Sequence, residues 1–239
     1  VNLILFERTE IDRPLPRSDR RAVHLLEVLR RRVGDTFDAG VIDGPRGKAT
    51  LCAVSDEALT FTFVPAGDAP AAAAITLFVG LSRPQTARDI LRDATTLGVA
   101  AIDFVRTEKG QASYAQSPLW STGEWRRHVV AGAEQAFDPR LPEVTWGKPL
   151  GELLAKGAGA EVRIALDNYE SPAALSALPI TPGQSVALAI GGERGWAAAE
   201  RTALRAHGFQ LCHLGVRVLR VETACTVAIA LVRAKLGLL

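Results

Sequence analysis

Cysteine is scarce in this chain and forms no pattern. Cys52, Cys212 and Cys225 make an odd, widely spaced set, which argues against a disulfide scaffold and points to a reducing compartment. Long apolar runs are missing as well. Leu, Val and Ala are dispersed, and no run approaches the roughly 20 residues of a membrane-spanning helix. The opening VNLILFERTE carries neither a basic leader nor a small-residue cleavage site behind an apolar core, so export is not expected. His24, His128, His207 and His213 are scattered, and Cys212-His213 lacks a second pair at ligand spacing, so no metal site is expected. Two nucleotide signatures are also lacking. No segment reads Gly-x-x-x-x-Gly-Lys followed by Ser or Thr, which argues against P-loop kinase or ATPase chemistry. The loop Gly191-Gly192-Glu193-Arg194-Gly195 lacks the Gly-x-Gly-x-x-Gly spacing and comes late in the chain, a poor fit to a dinucleotide-binding oxidoreductase.

What is present describes a globular protein. The 239 residues are 48% apolar and 23% charged, enough for one large domain or two modest ones with real cores. A net charge of +2 says little about partners, but arginine clusters in the first third, at Arg13, Arg17, Arg20, Arg21 and Arg30–Arg32. Such a cluster is either a solvated helix face or a set of phosphate contacts that position a nucleic acid without reading its sequence.

Two domains are expected. Residues 1–70 alternate short β-like runs, Leu3–Phe6, Phe37–Ile42, Ala49–Val54 and Leu59–Val64, around one amphipathic helix near Ser18–Arg32 that stops before Gly34. This reads as a small β-rich barrel. Ala69-Pro70-Ala71-Ala72-Ala73-Ala74 reads as a linker. Residues 75–239 switch to α/β order, with buried-strand candidates at Ile75–Leu81, Ala101–Val105, Val162–Leu166, Val186–Ile190 and Phe209–Leu214. Helical stretches lie between and after them, around Ala87–Leu97, Glu124–Ala136, Leu150–Ala155, Ala197–His207 and Ala224–Leu236; Gly208 and Gly237 are the expected stops of the last two.

Chemistry concentrates in the last fifth. AIGGERGW at Ala189–Trp196 and LGVRVLRVETA at Leu214–Ala224 each follow an apolar strand and precede a helix. Glycines at 191, 192, 195 and 215 bare the backbone where the chain turns, so main-chain N–H groups can meet a nucleotide-like ligand. Arg217, Arg220 and Glu222 supply charge beside them. Taken alone, the first loop reads as a structural turn; its pairing with the second favours a binding site. Cys225 opens an apolar helix with no base nearby and reads as a small core residue.

These two segments resemble the uracil-N3 methyltransferases of small-subunit (16S) ribosomal RNA, a family of knotted, S-adenosylmethionine-dependent enzymes of the SPOUT superfamily. Three further stretches carry the resemblance in the family's order: HLLEVLRRRVGD at His24–Asp35, ATTLGV at Ala94–Val99 and AEQAFDPRLPEV at Ala133–Val144. It implies a PUA-like, RNA-binding barrel followed by a SPOUT-type α/β domain with a trefoil knot, a cytoplasmic homodimer with no membrane or metal partner, and S-adenosylmethionine as methyl donor. It implies Gly191, Gly192, Glu193, Leu214, Gly215, Leu219, Thr223 and Ala224 as the cofactor wall. Arg220 is the residue to orient the base and stabilise the oxyanion of the deprotonated uracil, and Glu222 is its proton acceptor or its orienting partner. Arg20, Arg21, His24, Arg30 and Arg83 are the implied RNA contacts. Glu134 and Gln135 belong either to that site or to a buried cap.

This chain departs from the family pattern at several positions. The family's GPEGG loop is GGERG here, so Gly192 replaces proline and Arg194 replaces glycine. Asp93, Thr96 and Asp138 stand for a lysine, a glutamate and an arginine, and Lys109-Gly110 stands where Arg-Ser is common. Two other readings therefore stay open: a knotted methyltransferase of another RNA target, such as transfer RNA or a ribose hydroxyl, and a non-catalytic RNA-binding or ribosome-assembly protein.

Overall fold

The computed structural model describes residues 3–67 and 72–239. Val1–Ala71 with Ala133–Leu141 form one compact unit, and Ala72–Gly132 with Pro142–Leu239 form another.

In the first unit β1 (Ile4–Phe6), β2 (Leu15–Pro16), β3 (Thr36–Val41), β4 (Arg46–Val54) and β5 (Ala58–Gly67) make a curled sheet in the order β1-β3-β4-β5-β2. β1 runs parallel to β3 and the other pairs are antiparallel. Period-two alternation puts Phe37, Ala39 and Val41 inward. They pack with Phe6, whose ring lies 4.9 Å from that of Phe61, and Phe61 in turn lies 5.9 Å from Phe37. A buried Phe contributes about 1.5–3 kcal/mol, so this aromatic centre carries much of a small core.

The expected helix over Ser18–Arg32 is shorter. α1 (Arg20–Val23) starts where the Asp19 carboxylate accepts the Arg21 N–H at 2.8 Å. It widens into one π turn, His24–Val28, and Arg30 then takes φ 52°, left-handed backbone that ends a helix. Arg30–Arg32 thus lie on a loop rather than a helix face, with the Arg32 N–H held by the Asp35 carboxylate at 2.8 Å.

The second unit has β6 (Ala73–Gly80), α2 (Pro84–Thr96), β7 (Val99–Arg106), α3 (Pro118–Ser121), α4 (Glu124–Ala136), β8 (Glu143–Pro149) and α5 (Leu150–Lys156). They are followed by β9 (Val162–Leu166), β10 (Ala173–Ala174), β11 (Val186–Ile190), α6 (Ala198–Ala206), β12 (Gln210–His213) and α7 (Val221–Lys235). The strands form a seven-stranded, all-parallel sheet in the order β10-β12-β9-β11-β6-β7-β8. Every residue of the central strand β11 is buried, which is why it reads as an unbroken apolar run. α5 and α6 share a core with Phe78, Trp196 and Phe209, while α7 packs on α2 and β11. α4 crosses α2 at close range, since a Cβ on Gly132 would meet the Arg92 carbonyl oxygen at 2.4 Å.

The last three residues of α4 and the loop after them, which a division at residue 75 assigns to the second domain, group with the first unit. Of the expected linker, Ala69–Ala71 lie outside the described residues, and Ala73 and Ala74 already belong to β6. β8 escapes the sequence reading because it is a half-exposed edge strand, EVTWGKP, with Gly and Pro inside it and no apolar run. Gly208 and Gly237 do take the left-handed backbone of helix stops, at φ 77° and 71°. Among the described residues no helix is long and apolar enough to cross a membrane.

Candidate active site

Ligands of open parallel sheets sit outside the carboxyl ends of the strands. β12, β9 and β11 are neighbours, so the loops leaving His213, Leu166 and Ile190 emerge side by side. Between them lies a cleft with an internal volume of about 170 Å³, closed on a fourth side by Val221 and Ala224 of α7. Leu166, Ile190, Leu214 and Leu219 give it apolar walls, and Asp167, Arg194 and Arg217 bring charge.

Each loop is anchored by a specific contact. After β11, the Gly195 N–H donates to the Gly192 carbonyl at 2.8 Å, and Gly195 sits at φ 63°. The approach is closest at two glycines: a Cβ on Gly80 would lie 2.2 Å from the Gly192 nitrogen, and one on Gly191 would lie 2.9 Å from the Gly195 Cα. After β9, the Asp167 carboxylate accepts the main-chain N–H groups of Tyr169 at 2.8 Å and Glu170 at 2.6 Å, and Arg201 Nε at 2.7 Å. Burial pushes the Asp167 carboxyl up, but the Arg201 guanidinium and those two N–H groups outweigh it and hold it below the usual carboxylate range. After β12, the Gly215 N–H donates to His213 Nδ1 at 3.0 Å, with Gly215 at φ 110°.

Six of the eight expected cofactor residues, Gly191, Gly192, Glu193, Leu214, Leu219 and Ala224, line this cleft; Gly215 and Thr223 do not. The Glu193 carboxylate turns to the first turn of α2, where it accepts the Arg83 N–H at 3.0 Å. Arg220 and Glu222 stand outside the lining. Arg220 precedes α7 with its side chain 87% exposed, 4.0 Å from the Glu222 carboxylate. The wall over Asp167–Tyr169 went unread in the sequence; the one signal available was an acidic residue directly after an apolar strand, which is too common to single out. Cys225 is buried, and burial pushes its thiol far up, as suits a core residue.

A second, smaller cleft of about 50 Å³ opens on the other side of the Gly192–Gly195 loop. Arg83, Thr107, Lys109 and Tyr114 line it from the loops after β6 and β7. Lys109 Nζ donates to the Trp196 carbonyl at 2.9 Å. Gly110 has a reason to lack a side chain, since a Cβ there would sit 2.8 Å from Thr107 Oγ1.

The expected RNA contacts divide. Within the first unit Arg20, Arg21, His24 and Glu134 line a cavity of about 160 Å³. Arg20 is exposed and reaches Glu134 at 3.4 Å, and His24 Nε2 is buried without a hydrogen-bond partner. Arg21 is different. Its guanidinium pairs with Glu10 and Asp19, both at 2.8 Å, and lies over the Phe6 ring at 5.0 Å, so it holds the domain together. Arg30 sits apart on its loop. The departures at 93, 96 and 138 are met locally: Asp93 pairs with Arg92, Asp138 with Arg140, and Thr96 Oγ1 lies 3.0 and 3.2 Å from the Arg92 and Gly132 carbonyls. Among the described residues no cluster of His, Cys, Asp and Glu could hold a metal ion.

Comparison with known proteins fits this arrangement. Residues 69–233 match the family profile described as an RNA methyltransferase domain. The chain is 32% identical over 243 residues to the ribosomal RNA small subunit methyltransferase E of Treponema pallidum (strain Nichols), covering 98% of this chain and 91% of that one. It is 26% identical over 239 residues to ribosomal RNA small subunit methyltransferase E 1 of Borreliella burgdorferi, covering 99% of each. Among solved structures, the ribosomal RNA small subunit methyltransferase E from Neisseria gonorrhoeae bound to S-adenosyl methionine superposes with a TM-score of 0.80 at 23% identity, covering 98% of this chain and 97% of that one. The chain therefore belongs to the RNA methyltransferase family, in the group of the small-subunit ribosomal RNA methyltransferases E.

Proposed function

We propose that this protein transfers a methyl group from S-adenosylmethionine to N3 of a uridine in 16S ribosomal RNA. The observation that carries the reading is the cleft at the carboxyl ends of β12, β9 and β11, on a chain that belongs to this family. Its residues suit the donor: apolar walls at Leu166, Ile190 and Leu214 for a flat base, bare backbone at Gly191 and Gly192, and Arg194 and Arg217 for a carboxylate tail. When bound, S-adenosylmethionine supplies an electrophilic methyl carbon.

The chain's own residues must deliver a deprotonated uracil N3 in line with that carbon. Arg220, exposed at the start of α7 beside the cleft-lining Val221, meets the base from solvent and stabilises the charge that spreads to its two carbonyl oxygens. Glu222 accepts the N3 proton or orients Arg220. Residues 1–70 are the PUA-like, RNA-binding domain, supported by the curled sheet and the cavity at Arg20, His24 and Glu134. Residues 75–239 are the methyltransferase domain, threaded as a trefoil knot. Support comes from the solved relative's fold and from α7 returning to β11 and α2 after the outlying strand β12. The working unit is a homodimer, and the exposed Val216 and Val218 beside the cleft are the apolar surface a second copy would cover. The cytoplasm is the compartment such a substrate implies.

Calorimetric titration with S-adenosylmethionine tests the reading. Wild type is expected to bind saturably, and Gly192→Trp to lose binding while staying folded, because a Cβ at Gly192 meets nothing closer than 3.8 Å. Arg220→Ala is expected to keep donor affinity and lose roughly 100- to 1000-fold in kcat on ribosomal RNA, with the modified nucleotide mapped by mass spectrometry. An intact protein that takes up no donor overturns the proposal.

A further inference from the structure

The second cleft has no role in the chemistry above, yet it is built at the same sheet edge as the donor cleft. β11, β6 and β7 are adjacent, and the loops leaving their carboxyl ends enclose it. The Gly192–Gly195 loop is the wall shared by both clefts, and Arg194 lines each of them. Three cations from three separate segments, Arg83, Lys109 and Arg194, surround the smaller space, with Glu193 as its single carboxylate. Glu193 is already engaged by the Arg83 main-chain N–H at 3.0 Å, and Lys109 by the Trp196 carbonyl at 2.9 Å. The Arg83 and Arg194 guanidinium groups are exposed and, among the described residues, pair with no carboxylate.

Size decides what such a space takes. Its internal volume of about 50 Å³ is under a third of the donor cleft's 170 Å³, which suits one compact anion rather than a nucleoside. Two unpaired guanidinium groups and an ammonium match a phosphate in charge and in donor geometry. We propose that this cleft clamps a backbone phosphate of the RNA substrate next to the acceptor nucleotide, with Arg83 and Arg194 as positioning residues. Arg194 stands where the family pattern has glycine, so this chain carries a phosphate contact of its own on the donor loop.

The inference rests on the methyltransferase reading, and the two can fail separately. Phosphate contacts are independent of sequence, so end-labelled oligouridylate is a sufficient probe. Its affinity is measured against salt concentration for wild type, Arg83→Gln, Arg194→Gln, the double variant and Arg83→Lys. Each glutamine variant is expected to reduce the slope of log affinity against log salt by about 0.7, the single-strand value per phosphate contact. The double variant is expected to lose roughly tenfold in affinity, while Arg83→Lys keeps the wild-type slope. Thermal midpoints are expected to be unchanged, because neither side chain makes an ion pair, and donor affinity of Arg83→Gln is expected to stay within about twofold of wild type. Unchanged slopes and affinity in the double variant would overturn the clamp while leaving donor binding intact. Reduced slopes in a protein that binds no donor would keep the clamp and remove the enzyme.

Discussion

The indole Nε1 of Trp196 donates to the main-chain carbonyl of Leu166 at 3.0 Å, with the Trp196 side chain fully buried. This one bond ties the exit of the glycine loop to the last residue of β9, so two walls of the donor cleft share a fixed spacing. Trp196→Phe keeps most of the apolar contact and leaves the Leu166 carbonyl without its partner. A loss of about 1–3 kcal/mol is expected in urea unfolding, together with weaker donor binding in calorimetry. A variant as stable as wild type would show that the carbonyl finds another donor.

Gly80→Ala acts on the same loop from the other side. A methyl group at this position would lie 2.2 Å from the Gly192 nitrogen and 2.7 Å from its Cα, both main-chain atoms that cannot rotate away. The loop must shift, and overpacking of this kind costs about 1–3 kcal/mol. Donor affinity is expected to fall at least tenfold. Affinity equal to wild type would mean that the loop's position is irrelevant to binding.

Asp167 and Arg201 form a buried pair at 2.7 Å, with side-chain exposures of 2% and 8%. Arg201→Met leaves the carboxylate with main-chain partners alone, and a destabilisation of about 3–5 kcal/mol is expected. Adding Asp167→Asn should recover part of it in a double-mutant cycle; strictly additive losses would show that the two groups do not interact.

Acid stability should report Glu124. The Arg88 guanidinium first, then His128, hold its carboxyl down at about 2, against an ordinary value of 4.5. For a group lowered in the folded state, the stabilisation is complete above the ordinary value and is lost as pH falls from there toward about 2. Glu124→Gln should therefore unfold with a shallower pH dependence in that window and an unchanged one near neutrality. Superimposable acid transitions would remove the α2–α4 ion pair from the account.

Much of this molecule is legible along the chain because its strongest signals are local. The buried strands Val162–Leu166 and Val186–Ile190 are found residue for residue, since a strand covered on both faces must be apolar throughout. The stops at Gly208 and Gly237 are equally local, each following from a backbone conformation that a β-carbon disfavours. Edge elements such as β8 are harder, because one face is wet and little apolar pattern survives. The first helix is misjudged because the ordinary 3.6-residue period does not announce a π turn or a left-handed arginine.

The site divides in the same way. Sequence alone determined that the two glycine-bearing segments after Ile190 and His213 belong together, and it named six residues that line one cleft. Only the tertiary structure decided that the loop after Leu166 completes that cleft, that Arg21 holds its own domain together, and that Arg83, Lys109 and Arg194 meet around a second one. A glycine or an apolar run acts on its nearest chain neighbours and so leaves its mark in the local pattern. Which side chains face a common space depends on which strands lie side by side, and pairings such as β9 with β12 and β6 with β11 join segments far apart in the chain.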